Sequence, residues 1–440
     1  MRSRAVAAVF AAALAFAAAA SFVACEGRAP RPNVLIVVMD TTRADRCSVA
    51  GGAPGTTPAL DRLARTGVSY SDAWSPGGWT APAHASLFTG LRPEHHGVDV
   101  GLRMFLDASI PTLAEILGTA GWSTACFTNN ELVGPGLGLD RGFQRWEGLY
   151  LDPLREYPWC DATHERALSW ALDVDRAGGR FLLFVNDMEP HLPYTPPEDV
   201  ARRFLPADAT PEEIAQARAF DFPRTLSVML GRESVSPRER RILTALYDAE
   251  IATLDASIGR LLDRLASEGV LDRTLVVVCG DHGENIGDHG LWEHRFSLHR
   301  SIRHVPLVLR LPGVFDGGRT VADPVRLEDV FPTVLEACGL PVPAKLDGAS
   351  LSGPVAGRIA RAMQGPPVDF MDRVRELVPG ADVTPFEASW RAVYDGRYHY
   401  LTASDGRELL YDTADDPAEE RDLGATDERD RLRMRALLER

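Results

Sequence analysis

Continuous runs of β-branched and other apolar residues, separated by long helical stretches, constrain the fold of this chain more than any other feature. The runs cover residues 34–39, 181–185, 275–278 and 305–311. A strand without polar alternation is typical of a parallel sheet that is buried on both faces. The spacing of apolar residues predicts helices over 111–120, 164–177 and 237–269. We therefore predict an α/β fold, in which helices flank a mainly parallel central sheet.

The character of the sequence changes after residue 367. Short alternating runs at 390–394, 397–401 and 409–411 precede a charged segment with helical spacing. Alternation with a period of two is typical of a half-buried antiparallel sheet. The sequence thus predicts a main domain over residues 33–367 and a small C-terminal subdomain over residues 368–440, built from an antiparallel sheet and a helix.

The first 25 residues have the pattern of a targeting segment. Two arginines precede an apolar stretch over residues 5–20, and small residues precede Cys25. This pattern resembles a bacterial lipoprotein signal over residues 1–24, whose removal leaves Cys25 as a lipidated N-terminus; an uncleaved membrane anchor is the alternative. Both predict a lipid- or membrane-anchored protein of the cell envelope, periplasmic or on the outer surface, with residues 25–32 as a tether.

Charge and composition exclude several function classes. The 440 residues carry 47 basic and 62 acidic side chains, a net charge of −15, which argues against nucleic acid as a partner. Lys345 is the only lysine, so mechanisms that need a lysine nucleophile or a phosphate-loop lysine are excluded. The five cysteines after Cys25 form no CxxC pair and allow at most two disulfides. The oligomeric state leaves no pattern in the sequence.

Carboxylates and imidazoles follow three of the apolar runs. Asp40 follows the first run, the segment 186–191 follows the second, and Asp281 and His282 follow the third. An aspartate after a strand is usually a turn former or a helix cap, so none of these positions is informative alone. Because ligands of α/β sheets bind at the carboxyl ends of strands, their joint occurrence predicts a metal site at this edge.

The segment 79–90 (WTAPAHASLFTG) resembles the signature of the sulfatases, which belong to the alkaline phosphatase superfamily. Other family motifs have counterparts at 190–194 (PHLPY), 280–292 (GDHGENIGDHGLW), 329–333 (DVFPT) and 410–417. The resemblance covers nearly the whole chain after the tether. It implies the alkaline-phosphatase-like sandwich fold and a metal-dependent, sulfatase-like catalytic domain over residues 33–367.

One departure from the family pattern concerns the nucleophile. Sulfatases carry Cys or Ser at the position of Thr80, and this residue is oxidised to formylglycine. Threonine cannot form that aldehyde, so Thr80 would have to attack directly, as in related phosphodiesterases, phosphonate ester hydrolases and phosphoethanolamine transferases. Thr80 could also be a helix N-cap, and both roles are compatible because a helix N-terminus binds anions. His84 stands where sulfatases have arginine.

The resemblance implies a set of metal ligands: Asp40, Thr80, Asp281 and His282. The imidazole favours zinc or manganese, although sulfatases often use calcium. The resemblance also implies catalytic imidazoles at His84, His191 and His294. Asn129 or Asn130 is a candidate donor to a substrate oxygen, with loop capping as the alternative.

A second metal ion is a further alternative. Asp187 and His191 have the four-residue separation that binuclear phosphodiesterases of the superfamily use for a second zinc. The loop 189–194 is more similar to that of the mononuclear sulfatases. We therefore expect one divalent metal ion.

The sequence predicts a metal-dependent hydrolase that cleaves phosphate, phosphonate or sulfate esters through Thr80. The alternatives are a true sulfate ester hydrolase, a transferase that moves a phosphoryl head group within the cell envelope, and a non-catalytic binding protein with the same fold. The substrate would be a small-molecule, glycan or lipid ester. Its specificity would lie in the loops 150–163 and 198–236.

Overall fold

The computed structural model describes residues 31–99, 104–152 and 158–440. Within this part of the chain, Asn33–Arg440 forms one compact unit. The predicted signal 1–24, Cys25 and most of the tether 25–32 lie outside the described residues, so these assignments stay predictions. Among the described helices, none combines the length and apolar character that a membrane crossing requires.

The described residues form fifteen strands. They are β1 (Asn33–Met39), β2 (Val68–Trp74), β3 (Ser123–Thr128), β4 (Arg145–Gly148), β5 (Phe181–Asp187), β6 (Thr274–Gly280), β7 (Asn285–Ile286), β8 (Trp292–Glu293), β9 (His304–Arg310), β10 (Arg319–Val321), β11 (Val325–Arg326), β12 (Ala360–Gln364), β13 (Trp390–Tyr394), β14 (Tyr398–Ala403) and β15 (Glu408–Asp412). The central sheet has the order β10-β2-β9-β6-β1-β5-β3-β4, with β11 also paired to β2, and β7 and β8 form a separate two-stranded ribbon.

Strand β1 lies in the middle of the sheet and is buried on both faces. After Asn33, its even-numbered residues belong to the core on one side of the sheet and its odd-numbered residues to the core on the other side. It pairs in parallel with β5 and β6, and Met39 lies opposite Asp187 and Gly280. The chain therefore leaves all three strands at the same edge, where Asp40 and Asp281 follow.

Strand β9 differs from the other long apolar runs in direction. It pairs antiparallel with both β2 and β6, although its run was expected to repeat the parallel pattern. A strand that is buried on both faces has the same apolar composition in either direction, so only the path of the chain decides its orientation. The sheet is thus mixed but mainly parallel, as predicted.

Helices cover both faces of this sheet. The α-helices of the described residues are Pro58–Thr66, Thr80–Thr89, Pro93–His96, Leu113–Thr119, Trp159–Arg176, Glu198–Ala201, Pro211–Arg218, Phe222–Met229, Pro237–Ser267, Arg300–Arg303, Val330–Ala337, Val368–Leu377 and Glu428–Leu438. The helix predicted over 111–120 begins only at Leu113, because Thr112 and Glu115 form a capping box at its start. The helix predicted over 237–269 is observed as Pro237–Ser267.

Strands β12, β13, β14 and β15 form a small antiparallel sheet, and the helix Glu428–Leu438 packs on one of its faces. This confirms the predicted fold class. Strand β12 belongs to this sheet although it precedes residue 368, the predicted start of the subdomain. The cysteines at 47, 126, 160, 279 and 338 are all buried, and those at 47, 126, 160 and 279 form no disulfide within the described residues.

Candidate active site

The ends of β1 and β6 bring two carboxylates and an imidazole together. His282 Nε2 lies 3.4 Å from Asp281 Oδ2 and 3.9 Å from Asp40 Oδ1. All three side chains are buried. Across residues 31–99, 104–152 and 158–440, they are the one group of three such side chains whose ligand atoms lie within 4.8 Å of one another.

Backbone and amide groups fix the orientation of the two carboxylates. Asp281 Oδ1 accepts hydrogen bonds from the backbone N–H groups of Thr41 at 3.2 Å and His282 at 2.8 Å. Asp40 Oδ2 accepts from Asn130 Nδ2 at 2.7 Å and from Asn186 Nδ2 at 3.3 Å. The second oxygen of each carboxylate is therefore left for another ligand.

The donor set fits a divalent cation. Asp40 Oδ1 and Asp281 Oδ2 are buried and have no hydrogen-bond partner in the described part of the chain. Burial raises the pKa of Asp281 to about 7, and burial together with the charge of Asp281 raises the pKa of Asp40. His282 donates Nδ1–H to Gly283 O at 3.0 Å, which leaves the lone pair of Nε2 directed into the site. Two buried carboxylates without a cationic partner need a positive charge, which a metal ion supplies.

Thr80 is the first residue of the helix Thr80–Thr89, and its hydroxyl lies near His282, one of the three side chains of the cluster. Oγ1 is 3.4 Å from His282 Nε2 and 3.3 Å from Asn130 Nδ2. Trp79, not Thr80, occupies the N-cap position, so the capping interpretation of Thr80 is wrong. The positive end of the helix dipole therefore lies beside a hydroxyl that makes no cap bond, an arrangement that attracts an anionic group.

His84 lies one turn further along this helix and is completely buried. Its Nδ1–H donates to Thr80 O at 2.9 Å and lies 3.6 Å from Asp281 Oδ2, and its Nε2 accepts from Asn186 Nδ2 at 3.4 Å. Burial lowers the pKa of His84 to about 4, so the ring is neutral. The ring packs edge-on to Phe184. His84 is not among the residues that line the cleft above Thr80, which is described in the next paragraph.

A cleft of about 290 Å³ opens above Thr80. Its walls are formed by Trp79, Thr80, Asn129, Asn130, Glu131, Leu132, Tyr150, Met188, His191, His294 and Arg295. Five of the residues predicted for the site thus share one cleft: Thr80, Asn129, Asn130, His191 and His294.

The two imidazoles of the cleft differ in their partners. His294 Nδ1 lies 3.2 Å from Glu284 Oε1, and burial raises the pKa of this glutamate to about 7. Burial, followed by the charge of His191, lowers the pKa of His294 well below its usual value. His191 donates Nδ1–H to Leu192 O at 2.8 Å, and its ring centroid lies 5.3 Å from that of His294. In each ring, Nδ1 is held by a partner, and Nε2 is left available to a substrate.

Of the two adjacent asparagines, Asn130 is the one that contacts the site. It donates to both Asp40 and Thr80. Asn129 instead donates its Nδ2 to Thr163 Oγ1 at 2.7 Å, while it also lines the cleft. The structure therefore separates two residues that the sequence left equivalent.

Asp187 does not join the cluster of Asp40, Asp281 and His282. Its Oδ2 lies 2.9 Å from His164 Nε2, on the side of the sheet that the helix Trp159–Arg176 covers. The Nδ1 of His191 is held by the backbone of Leu192. The described residues therefore give no support to a second metal ion that Asp187 and His191 would share.

Sequence reasoning assigned no role to three residues that the structure places at the site. Asn186 contacts Asp40 and His84, Glu284 contacts His294, and Arg295 lines the cleft. Asn186 lies at the end of β5 and Glu284 follows β6, so their positions at the carboxyl ends of strands could have marked them as site residues. Nothing in the sequence marked Arg295.

A cluster of two carboxylates and an imidazole at the carboxyl edge of a mainly parallel sheet, beside a hydroxyl at a helix N-terminus, is typical of metal-dependent α/β ester hydrolases. A sequence model described as Sulfatase matches residues 32–340, and the chain belongs to this family. This confirms the predicted membership of the alkaline phosphatase superfamily and the predicted hydrolase class.

Known proteins of both sulfate and phosphonate chemistry are similar to the chain. The ulvan-active sulfatase of Formosa agariphila is 26% identical over 412 residues, which cover 89% of this chain and 77% of that protein. The choline-sulfatase of Rhizobium meliloti is 26% identical over 441 residues, which cover 88% and 81%. The phosphonate monoester hydrolase of Agrobacterium radiobacter shares the fold with a TM-score of 0.71 and 24% identity, over 92% of this chain and 94% of that chain.

Proposed function

We propose that this protein is a cation-dependent hydrolase of phosphate or phosphonate esters that uses Thr80 as its nucleophile. The observation that carries the proposal is the position of Thr80 Oγ1, which lies 3.4 Å from His282 Nε2 and shares the donor Asn130 Nδ2 with Asp40 Oδ2. Sulfatases place Cys or Ser at this position for oxidation to formylglycine, a reaction that threonine cannot undergo. A secondary alcohol at this point has to attack the ester directly.

Asp40, Asp281 and His282 would hold one divalent cation, and Thr80 would complete the ligand set. Bound there, the cation supplies a Lewis acid that lowers the pKa of a neighbouring hydroxyl and neutralises charge on the transferring group. The imidazole favours zinc or manganese over calcium. Asn130 orients the nucleophile, because it donates to both Thr80 and Asp40.

The residues of the cleft provide for both halves of a double displacement. Thr80 loses its hydroxyl proton to solvent, its oxygen bonds to phosphorus, and the bond from phosphorus to the leaving oxygen breaks. The leaving oxygen takes up a proton that comes from solvent, and His191, half-buried with Nε2 free, can relay this proton by accepting it at Nε2 and passing it on. Water then cleaves the phosphothreonine and can pass its proton to Nε2 of His294, which is neutral before this step because burial lowers its pKa.

Sulfate ester hydrolysis is the second candidate, since relatives with 26% identity are named as sulfatases. A formylglycine hydrate expels sulfate by collapsing to the aldehyde. A sulfated threonine has no such exit and must be cleaved by attack at sulfur. We therefore expect sulfate turnover on this chain to stall after the first half-reaction.

The remaining parts of the proposal concern location and substrate. The N-terminal pattern supports a location in the cell envelope with Cys25 lipidated. The relatives act on ulvan and choline sulfate by name, which supports a glycan or small-molecule ester as substrate. A lipid ester would fit the same membrane-proximal location.

Side-by-side kinetics on one leaving group test the proposal. Purified protein is reloaded with zinc, manganese or calcium and assayed with 4-nitrophenyl sulfate, 4-nitrophenyl phosphate, bis(4-nitrophenyl) phosphate and 4-nitrophenyl phenylphosphonate. We expect kcat/KM for a phosphorus ester to exceed that for the sulfate ester. Faster turnover of the sulfate ester than of every phosphorus ester would show that the argument from Thr80 is wrong.

A further inference from the structure

We propose that Arg295 binds an anionic oxygen in the organic part of the substrate, so that the preferred ester carries a second negative charge away from the reacting group. This proposal rests on the proposed function, since it assigns the specificity of the same cleft. It depends on the hydrogen bonding, packing and charge of Arg295.

The free edge of the Arg295 guanidinium is available to a ligand. Nη1 pairs with Glu293, and Nε is buried. In the described part of the chain, no hydrogen bond engages Nη2. The side chain is 21% exposed and lines the cleft that also contains Thr80, so its accessible end faces the space in which the substrate would lie.

Aromatic rings hold this guanidinium in place. Its Cζ lies 5.1 Å from the ring centroid of Trp79, 5.5 Å from that of Phe222 and 5.1 Å from that of Phe370. Guanidinium groups stack favourably on aromatic faces, which limits the conformational entropy that a ligand would remove. Trp79 directly precedes Thr80 in the chain, so one of the rings on which Arg295 stacks belongs to the residue next to the proposed nucleophile.

Glu293 adds a second constraint on Arg295. It accepts the backbone N–H of Arg295 at 3.2 Å, and the same carboxylate pairs with the guanidinium. Its φ of 58° lies in the left-handed region, which is unfavourable for a residue other than glycine. Strained backbone of this kind persists where the surrounding structure enforces it and is common at ligand sites.

Arg295 is the one lysine or arginine among the described residues that line the cleft. Burial lowers its pKa to about 10, so it remains a cation at neutral pH. A buried charge is costly unless it is fully paired, and Glu293 engages only one edge of the guanidinium. The free donors favour an anionic oxygen, such as that of a carboxylate or a sulfate.

The cleft also contains surface for the ring that would carry this group. Trp79 and Tyr150 both line it and offer aromatic contact area with a polar edge. A ring that bears the ester on one side and an anionic substituent on another could therefore approach Thr80 and Arg295 together. The chemistry predicted for the organic part is an acidic sugar or an acidic phenol.

The test compares matched phenyl phosphonate esters whose phenol ring carries a carboxylate, a sulfonate or an uncharged carboxamide. In wild type, kcat/KM should be higher for a charged ring than for the carboxamide ring. In Arg295→Gln this preference should fall at least about tenfold through KM, because a charge-assisted hydrogen bond is lost. Arg295→Lys should retain part of it, and Arg202→Gln, on the exposed surface, should retain all of it. The carboxylate and sulfonate rings distinguish the two kinds of anionic oxygen.

Turnover of the carboxamide ester and the thermal midpoint report whether each variant is folded. An equal loss on charged and uncharged rings in a folded Arg295→Gln would overturn the proposal, because Arg295 would then act on the reacting group. A wild type without preference for a charged ring would overturn it as well. If wild type cleaves only sulfate esters, the proposed function fails, and the same three rings as sulfate esters then test Arg295 separately.

Discussion

Replacing Asp281 by asparagine is expected to stabilise the cation-free protein and to abolish its stabilisation by a divalent cation. Asp281 Oδ1 accepts two backbone hydrogen bonds, from Thr41 and His282, and an asparagine oxygen can accept the same two. The amide nitrogen of the asparagine would replace Oδ2, which lies 3.4 Å from His282 Nε2, and would donate to it. The exchange therefore preserves the local structure and removes one negative charge.

The size of the effect follows from the pKa of Asp281. Burial raises this pKa from 3.8 to about 7. Because the pKa is higher in the folded than in the unfolded state, ionisation destabilises the cation-free fold above pH 7, and this loss is relieved as the pH falls from about 7 towards 3.8. At about 1.4 kcal/mol per pH unit, the loss is on the order of 4 kcal/mol. Asp281→Asn should recover up to that amount at pH 8 and little near pH 4.

Urea unfolding at pH 8 measures the free energy of unfolding with chelator and with added zinc, manganese or calcium. A cation at about 100 times its Kd should stabilise wild type by about 2.7 kcal/mol, and Asp281→Asn should show no such response. Asp255→Asn is the control for the cation response, since Asp255 is a buried aspartate outside the cluster whose two oxygens accept the N–H groups of Ala59 and Leu60. It should keep the full cation response. A cation-stabilised Asp281→Asn, or one that unfolds more easily than wild type in chelator at pH 8, would refute the reasoning.

Substitutions at two other positions, Thr80 and His96, give quantitative expectations. Thr80→Ala should lower kcat for phosphorus esters by at least about a thousandfold in steady-state kinetics. Thr80→Ser keeps the hydroxyl, and its kcat should stay within about tenfold of wild type. An active Thr80→Ala would show that Thr80 is not the nucleophile. His96 accepts the N–H of Val98 at Nδ1, and burial lowers the pKa of His96 from 6.5 to about 3. Because the unfolded chain then binds a proton at this residue that the folded protein does not, wild type should lose stability as the pH falls below about 6.5. In His96→Gln, the slope of unfolding free energy between pH 6 and 4, measured by urea unfolding at several pH values, should be about 1.4 kcal/mol per pH unit smaller than in wild type.

The central sheet and the core of the candidate site were predictable because they depend on local sequence. A run such as 34–39 has a single favourable structure, a strand buried on both faces. The residue that follows such a strand therefore lies at an edge of the sheet. Parallel pairing of β1 with β6 then brings Asp40 and Asp281 to the same point. The chemistry of Thr80 needed no structure, since the identity of its side chain alone excludes the formylglycine aldehyde.

Tertiary structure decided the features that depend on contacts between distant parts of the chain. The direction of β9 is not encoded in its apolar composition, and Asn130 and Asn129 differ only in what each reaches. Asp187 has the spacing of a metal ligand, yet the helix Trp159–Arg176 brings His164 to it. Arg295 is unremarkable in sequence and becomes distinctive only because Trp79, Phe222 and Phe370, each far from it along the chain, stack around one guanidinium. Sequence patterns report the local environment of a residue, whereas a substrate pocket is formed by side chains whose proximity only the folded chain creates.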